Sequence, residues 1–176
     1  MHMIFMKIIG AVLIVGSGIY LSGNITMAMK RRLQELYALK TLMVLLEGDI
    51  SYSISTLPEC FLEISEKVDS PFDEWLHSLG NQLLNYEVGG FESIFQASIQ
   101  TLKRDSYLRQ EDMELILNLS GLLGFLDKDM QCNLVKLTRS RIEETIVQVE
   151  KGMKNQTKII HTVGVLIGIL IVIILI

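Results

Sequence analysis

Two long apolar segments lie near the ends of the chain. Residues 8–23 and 159–176 contain no Lys, Arg, Asp or Glu, and every Asp and Glu lies between these two segments. A helix needs about 20 consecutive apolar residues to cross a bilayer. The pattern therefore predicts two transmembrane helices, residues 4–25 and 159–176, with Lys7 extending its ammonium toward the near surface. The chain is expected to end at or in the far face of the membrane.

The first apolar segment has a second interpretation, as a secretory signal peptide. Lys7 supplies the charged start of such a peptide, but Thr26-Met27-Ala28 is a poor cleavage site. The sequence leaves open whether the first span is cleaved. It also leaves open whether Met1 or Met6 is the true start.

Between the two segments, apolar residues recur at helical spacing, and the whole chain has only two prolines. Residues 30–155 are therefore predicted to form one compact, all-α domain, a bundle of about six helices flanked by the two transmembrane helices. The first bundle helix should begin at about Arg31. The sixth should run from Lys128 to the membrane without a break.

Proline and small polar residues mark the starts of the second and third helices. Pro58 suits the first turn of the second helix, with Ser55 or Thr56 as its N-cap. Ser70-Pro71 suits the cap and first residue of the third helix. Both positions follow from the fixed φ of proline, which matches that of a helical first turn.

Glycines and polar residues separate the remaining helices. Gly89-Gly90 precedes the fourth helix, and the polar segment 103–106 separates the fourth from the fifth. Gly124 fits the left-handed position that follows a helix end. Asp127 is predicted to cap the start of the sixth helix.

The first bundle helix carries one apolar stripe, with two carboxylates beside it. At about 100° per residue, Glu47 falls about 40° from Met43, on the shoulder of the stripe, whereas Asp49 falls about 120° away. Either the Glu47 head reaches water, or it pairs with an Arg or Lys of another helix or subunit. Asp49 is predicted at the surface. Gly48 lies opposite the stripe, where its missing side chain would permit a bend or a close approach. The stripe consists of Leu36, Leu39, Met43, Leu46, Ile50 and Ile54.

The charges are unevenly distributed. Basic residues follow the first apolar segment and precede the second, and they are expected to stay on the cytoplasmic side. The middle domain should therefore be cytoplasmic, with its basic flanks near lipid headgroups. The net charge of −4 leaves the body of the domain acidic, which argues against nucleic-acid binding. The basic residues are Lys30, Arg31, Arg32, Lys151, Lys154 and Lys158.

No catalytic motif is apparent in the sequence. The GxSxG, HExxH, P-loop and GxGxxG patterns are absent, and His2, His77 and His161 are too scattered for a metal site. We predict a protein that is not an enzyme and that uses no cofactor, metal or small-molecule substrate. Cys60 and Cys132 are far apart and are predicted to be buried free thiols.

The predicted spans contain one feature that suggests helix association. Gly164 and Gly168 have the small-xxx-small spacing that allows two membrane helices to approach closely. Glycine is common in membrane helices, so a dedicated contact there, or a homo-oligomer built on it, remains one alternative. Neither span has an ionisable side chain in its centre, which argues against a transport path.

Two short elements resemble the stage III sporulation protein AB family of endospore-forming bacteria. The family pattern Leu-Glu-x-Glu-Ile-x-Tyr appears as residues 46–52, which end in Tyr52, and a later glycine-aspartate element appears between Gly121 and Asp127. The apolar start and tail match as well. The family has Thr-Pro-Leu soon after the tyrosine, whereas here the proline comes later, at Pro58. That turn is therefore expected to be built differently.

The resemblance implies a function in assembly. The family is similar to the cytoplasmic domain of type II secretion F-type platform proteins. This implies a non-catalytic membrane subunit of the channel complex between mother cell and forespore, located in the mother-cell membrane around the forespore and in contact with a cytoplasmic secretion-type ATPase. The residues alone leave two alternatives, a holin-like oligomeric pore and, less favoured, a membrane enzyme. Candidate interaction or packing residues are Glu47, Asp49, Tyr52, Gly121, Gly124 and Asp127.

Overall fold

The described residues form six α-helices and no strand. A computed structural model describes residues 2–52, 55–85, 90–123 and 127–175, and it defines side-chain surroundings for residues 27–52, 55–85, 90–120, 123 and 127–155. The predicted all-α helical bundle is confirmed. Its helices are α1 (His2–Tyr52), α2 (Leu57–Ser65), α3 (Phe72–Leu84), α4 (Phe91–Asp105), α5 (Gln110–Leu123) and α6 (Lys128–Leu175).

The first and last helices are much longer than the other four. We expected a bundle helix from about Arg31 that was separate from the preceding span, but α1 is one helix of 51 residues. No proline or glycine occurs between residues 24 and 47, so nothing in the sequence ends the helix there. The predicted spans 4–25 and 159–176 fall largely within α1 and α6, where side-chain surroundings are outside the described part. In the part that is described, no helix is both long and apolar enough to cross a membrane.

The chain divides into two compact units. One contains Met1–Lys30 together with Gln148–Ile176, and the other contains Arg31–Val147. In the first unit, Met29 Cε lies 3.8 Å from the place that a Cβ on Gly152 would occupy, so α1 and α6 approach each other there. The second unit, which we call the bundle, holds the features described below.

The apolar stripe of α1 forms one wall of the bundle core. All of its described members are buried, as the periodicity predicts; Ile54 lies outside the described residues. Because α1 packs its whole apolar face inward, the other helices must cover it along about 14 residues, roughly 21 Å at 1.5 Å per residue. The buried members are Leu36, Leu39, Met43, Leu46 and Ile50, together with Leu42.

An aromatic cluster joins α2, α3 and α4. The ring of Phe95 is fully buried, and its centroid lies 6.4 Å from that of Phe61, 5.8 Å from that of Trp75 and 5.7 Å from that of Phe91. Trp75 contacts Phe95 edge-on, a favoured arrangement for aromatic pairs. Its indole Nε1 donates to Ser98 Oγ at 2.9 Å, so the one polar atom of the ring is satisfied inside the core.

The helix starts follow local chemistry, with one exception. Thr56 caps α2 in a capping box with Glu59, whose carboxylate accepts from the Thr56 N–H at 2.7 Å, and Pro58 lies in the first turn as expected. The predicted start of α3 is wrong by one residue. Pro71 itself occupies the cap position, without a side-chain cap bond, and the helix begins at Phe72, whose ring is fully buried in the core.

The link between α4 and α5 lies later than predicted. Residues 103–105 continue α4, and the link is Ser106–Arg109. Leu102 is buried, and Lys103 and Arg104 lie in the last turn, where cations are favoured by the negative end of the helix dipole.

Both cysteines are free and buried, which confirms the prediction. Burial, reinforced by the negative charge of Asp49, raises the pKa of the Cys60 thiol to about 11. Cys60 therefore remains protonated and unreactive at neutral pH.

Two helical glycines should respond in opposite ways to alanine. A Cβ on Gly48 meets nothing within 4 Å, so Gly48→Ala should raise the free energy of unfolding by about 0.5–1 kcal/mol. A Cβ on Gly80 would lie 2.8 Å from Leu62 Cγ and 3.0 Å from the Pro58 carbonyl oxygen, so Gly80→Ala should lower it by about 1–2 kcal/mol. Urea unfolding of the detergent-solubilised chain, followed by fluorescence of the single tryptophan, measures both. A loss of stability in Gly48→Ala would show that something approaches this face closely.

Candidate interaction surface

A buried ion pair joins the beginning of α1 in the bundle to the first turn of α5. Arg32 Nε donates to Asp112 Oδ2 and Arg32 Nη2 donates to Asp112 Oδ1, each at 2.8 Å, across 80 residues of sequence. The Arg109 N–H donates to Asp112 Oδ2 at 2.8 Å, so this carboxylate also caps α5. Asp112 is fully buried and Arg32 nearly so. A buried charge needs such pairing, because an uncompensated one is strongly destabilising.

This pair corrects one prediction for the basic flank of the domain. Arg32 was expected near lipid headgroups together with Lys30 and Arg31, but its guanidinium faces the interior of the bundle. Lys30 and Arg31 are exposed. The reason is helical geometry: Arg32 is four residues before the buried Leu36, so it shares the core-facing side of α1.

Glu47 bridges α1 and α6. Its Oε2 accepts from Arg139 Nη1 at 2.7 Å, and its Oε1 lies 3.7 Å from Lys136 Nζ. The Glu47 side chain is only 20% exposed. Of the two arrangements considered for Glu47, the structure has the one in which a partly buried carboxylate pairs with basic residues of another helix of the same chain.

Three contacts define one edge of the α1–α6 contact. Besides the Glu47 cluster, Lys40 Nζ lies 3.0 Å from Glu143 Oε1, and Ser51 Oγ lies 3.1 Å from Cys132 Sγ. Residue numbers rise along α1 as they fall along α6, so the two helices run antiparallel here. These polar contacts set the register between the helices, because each joins a specific pair of side chains.

Asp49 and Tyr52 lie near the end of α1 in different surroundings. Asp49 was predicted at the surface but is half-buried. Its negative charge contributes to the raised pKa of the Cys60 thiol. Its Oδ2 has no hydrogen-bond partner among the described residues. Tyr52 is 91% exposed at the last position of α1. The structure does not bring these two side chains into the Glu47 cluster.

Asp127 caps α6, as the sequence predicts. Its Oδ1 accepts from the Met130 N–H at 2.9 Å, three residues into the helix. Gly124 lies outside the described residues, and so do the surroundings of Gly121, which is part of α5. The surroundings of Gly164 and Gly168 on α6 are outside the described part as well.

An acidic surface lies on α2, α3 and the turn between them. We define it by the six carboxylates between residues 59 and 74, a stretch whose only basic residue is Lys67. All but the half-buried Asp73 are exposed. The Glu59 carboxylate is engaged by Thr56, whose hydrogen bonds lower the pKa of Glu59. Within the described residues, Glu63, Glu66, Asp69 and Glu74 have no ion-pair partner. The six are Glu59, Glu63, Glu66, Asp69, Asp73 and Glu74.

Sequence reasoning singled out neither the buried ion pair nor this surface. The local signal for Asp112 is its place as the third residue of α5, but nothing local identifies Arg32 as its partner. The acidic surface was visible as a run of carboxylates with a single lysine. No group of three or more His, Cys, Asp or Glu side chains in the described ranges could hold a metal ion.

Comparison with known proteins gives concordant results. The family model described as Stage III sporulation protein AB matches residues 7–176. The chain is 24% identical over 173 residues to Stage III sporulation protein AB of Bacillus subtilis (strain 168), which covers 97% of this chain and 99% of that protein. A solved structure of Stage III sporulation protein AB (SpoIIIAB) superposes with a TM-score of 0.64 at 18% identity and covers 70% of this chain and 97% of that one. At that identity the structural likeness supports the fold.

Removing the charge of Asp112 should destabilise the bundle strongly. Asp112→Asn leaves the buried Arg32 guanidinium without its counter-charge, and the free energy of unfolding should fall by about 3 kcal/mol or more. Urea unfolding followed by Trp75 fluorescence measures this. The matched control is Glu111→Gln, because Glu111 lies 3.9 Å from the same guanidinium but is 80% exposed, and it should change stability by less than about 0.5 kcal/mol. Equal effects of the two substitutions would contradict the assignment.

Burial should also separate the two ion pairs between α1 and α6. Glu47→Gln should cost about 1 kcal/mol, since its carboxylate accepts a charge-assisted hydrogen bond in a partly buried position. Glu143→Gln should cost less than about 0.5 kcal/mol, because Glu143 is 47% exposed and solvent screens its pair with Lys40. The same unfolding measurement serves for both. If Glu47→Gln is neutral, the carboxylate is solvated and the cluster contributes nothing to stability.

Proposed function

The chain belongs to the stage III sporulation protein AB family, and from that premise we propose that it is a non-catalytic, membrane-held platform subunit of a sporulation complex. In this proposal the complex is the channel that links mother cell and forespore. The bundle faces the mother-cell cytoplasm and docks a secretion-type ATPase. The platform and ATPase roles extend the resemblance to type II secretion F-type proteins.

Membrane attachment is proposed from the two apolar segments. Residues 8–23 and 159–176 lack charged side chains, and basic residues lie on the bundle side of each. That distribution favours a cytoplasmic bundle with both ends of the chain held in the bilayer. A domain anchored at both ends is restrained in orientation, which suits a subunit that must present one surface to a partner.

The acidic surface carries the docking proposal. At least four of its carboxylates have no ion pair within the described residues, so they remain available to a partner. Charges at the rim of an interface steer association and select partners. The two helices that carry this surface are closely packed. Gly80 lets α3 approach α2, and Phe61 of α2 and Trp75 of α3 both contact Phe95. We therefore propose a basic surface on the ATPase as its complement.

Charge reversal on the acidic surface tests this proposal. Glu63→Lys combined with Glu66→Lys should weaken binding of the ATPase to the full chain by at least about tenfold, because like charges then face each other. Binding is measured with purified proteins at two salt concentrations and by co-purification from sporulating cells. Binding of the unaltered chain to the ATPase should strengthen as ionic strength falls, because salt screens the attraction between exposed charges.

The matched control places the same charge change elsewhere on the bundle. Glu92→Lys combined with Glu144→Lys alters exposed positions of α4 and α6 and should leave binding unchanged. Equal loss in both double variants would show that net charge alone matters and would reject the acidic surface as the docking site. Absence of any complex with the ATPase would reject the docking role itself. Conductance of liposomes that hold the two spans alone would favour the oligomeric pore instead.

A further inference from the structure

The link between α4 and α5 lies against residues 31–35 of α1. The Glu35 carboxylate accepts from the Tyr107 N–H at 2.7 Å. The Arg31 guanidinium carbon lies 5.8 Å from the centre of the Tyr107 ring, within the range of a cation–π contact. Leu108 is buried, and Asp112 pairs with Arg32. These contacts, together with the burial of Leu108, hold the link and the backbone of Tyr107 in place.

Although its backbone is held, the Tyr107 side chain remains 52% exposed. Tyrosine is enriched where proteins meet the membrane–water boundary, since its ring is apolar and its hydroxyl polar. The ring is thus presented outward by a link that is otherwise well anchored.

Three further basic residues lie close to Tyr107 in the sequence. Lys103, Arg104 and Arg109 are exposed on the link or beside it, and Arg31 lies over the ring. Two exposed carboxylates are also nearby, Asp105 and Glu111. Arg104 pairs with Asp105 at 3.0 Å, but both are exposed, and such a pair is weak and easily exchanged. The Lys103 ammonium donates to Gln110 Oε1 at 2.8 Å, which leaves its other two N–H groups available.

Covalent connection limits how far this basic, aromatic group can lie from the first predicted span. Arg31 follows Ile25, the end of that span, by six residues, and six residues cannot extend beyond about 20 Å in any conformation. The Tyr107 ring lies against Arg31. The far end of α1 is different, because Tyr52 is 21 residues, or about 30 Å of helix, beyond Arg31.

We infer that the α4–α5 link binds the anionic headgroup surface of the membrane in which the chain is anchored, with Arg104 and Arg109 at the phosphates and Tyr107 at the interface. Arg32 was expected to contact the headgroups but is buried, and the basic residues of the link would make that contact instead. This contact would come from a segment remote in sequence from both predicted spans. This inference rests on the proposed membrane attachment.

The test uses the full chain in lipid nanodiscs. Amide hydrogen exchange of the segment 103–110 is compared in discs of phosphatidylcholine alone and in discs that also contain phosphatidylglycerol. The anionic lipid should slow exchange of this segment about fivefold, the change expected for one favourable contact between a cation and the surface. Raising the salt to about 1 M should remove the difference, because the screening length falls to about 3 Å.

Two charge-matched variants decide whether the effect belongs to the link. Arg104→Gln combined with Arg109→Gln should abolish the lipid dependence. Lys67→Gln combined with Arg141→Gln, which removes two exposed cations elsewhere on the bundle, should retain it. Exchange that is equal in both kinds of disc, or equal loss in both double variants, would overturn the inference. A chain that does not stay in the discs would overturn membrane attachment and this inference together, whereas retention without lipid dependence would overturn the inference alone.

Discussion

The bundle depends on the constraint that Arg32 cannot be buried alone. Its position on α1 places the guanidinium on the core-facing side, four residues before Leu36, so a carboxylate has to come from another part of the chain. Asp112 meets this need while it caps α5 through the Arg109 N–H. One carboxylate therefore fixes where α5 begins relative to α1. The same contact brings the preceding link against Arg31 and Glu35, and so decides which residues lie at that end of the bundle.

The other charged side chains are of two kinds: partly buried ones that pair within the bundle, and exposed ones that could contact a partner. Glu47 is partly buried and is held by Arg139 and Lys136, so it sets the register of α1 against α6. Its neighbour Asp49 takes no part in that cluster. Four exposed carboxylates of the acidic surface form no ion pair within the described residues, so they are suited to bind a partner. Glu47 thus makes a contact between helices, and the surface proposed for docking begins after α1 has ended.

A platform subunit needs a rigid surface in a defined orientation. The aromatic contacts around Phe95 pack α2, α3 and α4 together, and α2 and α3 carry the acidic surface. The proposed anchors at both ends of the chain and the proposed contact of the α4–α5 link with headgroups would restrain the bundle at the membrane.

Local sequence patterns were enough to predict the helices of the bundle, most of their starts and the buried face of α1. Periodicity identified the apolar stripe from Leu36 to Ile50 as core. Capping chemistry identified Asp127 for α6 and left Ser55 or Thr56 for α2. These signals come from residues within a few positions of one another. The same local signals placed the start of α3 one residue early and the link after α4 too soon, because polar residues such as those at 103–105 are compatible with both a link and a last helical turn. Three contacts could not be predicted in this way: Arg32 is buried with Asp112, Glu47 pairs with Arg139, and Tyr107 lies against Arg31. Each of these contacts joins residues more than 70 positions apart, and the pairing of distant side chains depends on how the helices pack, which no local pattern specifies.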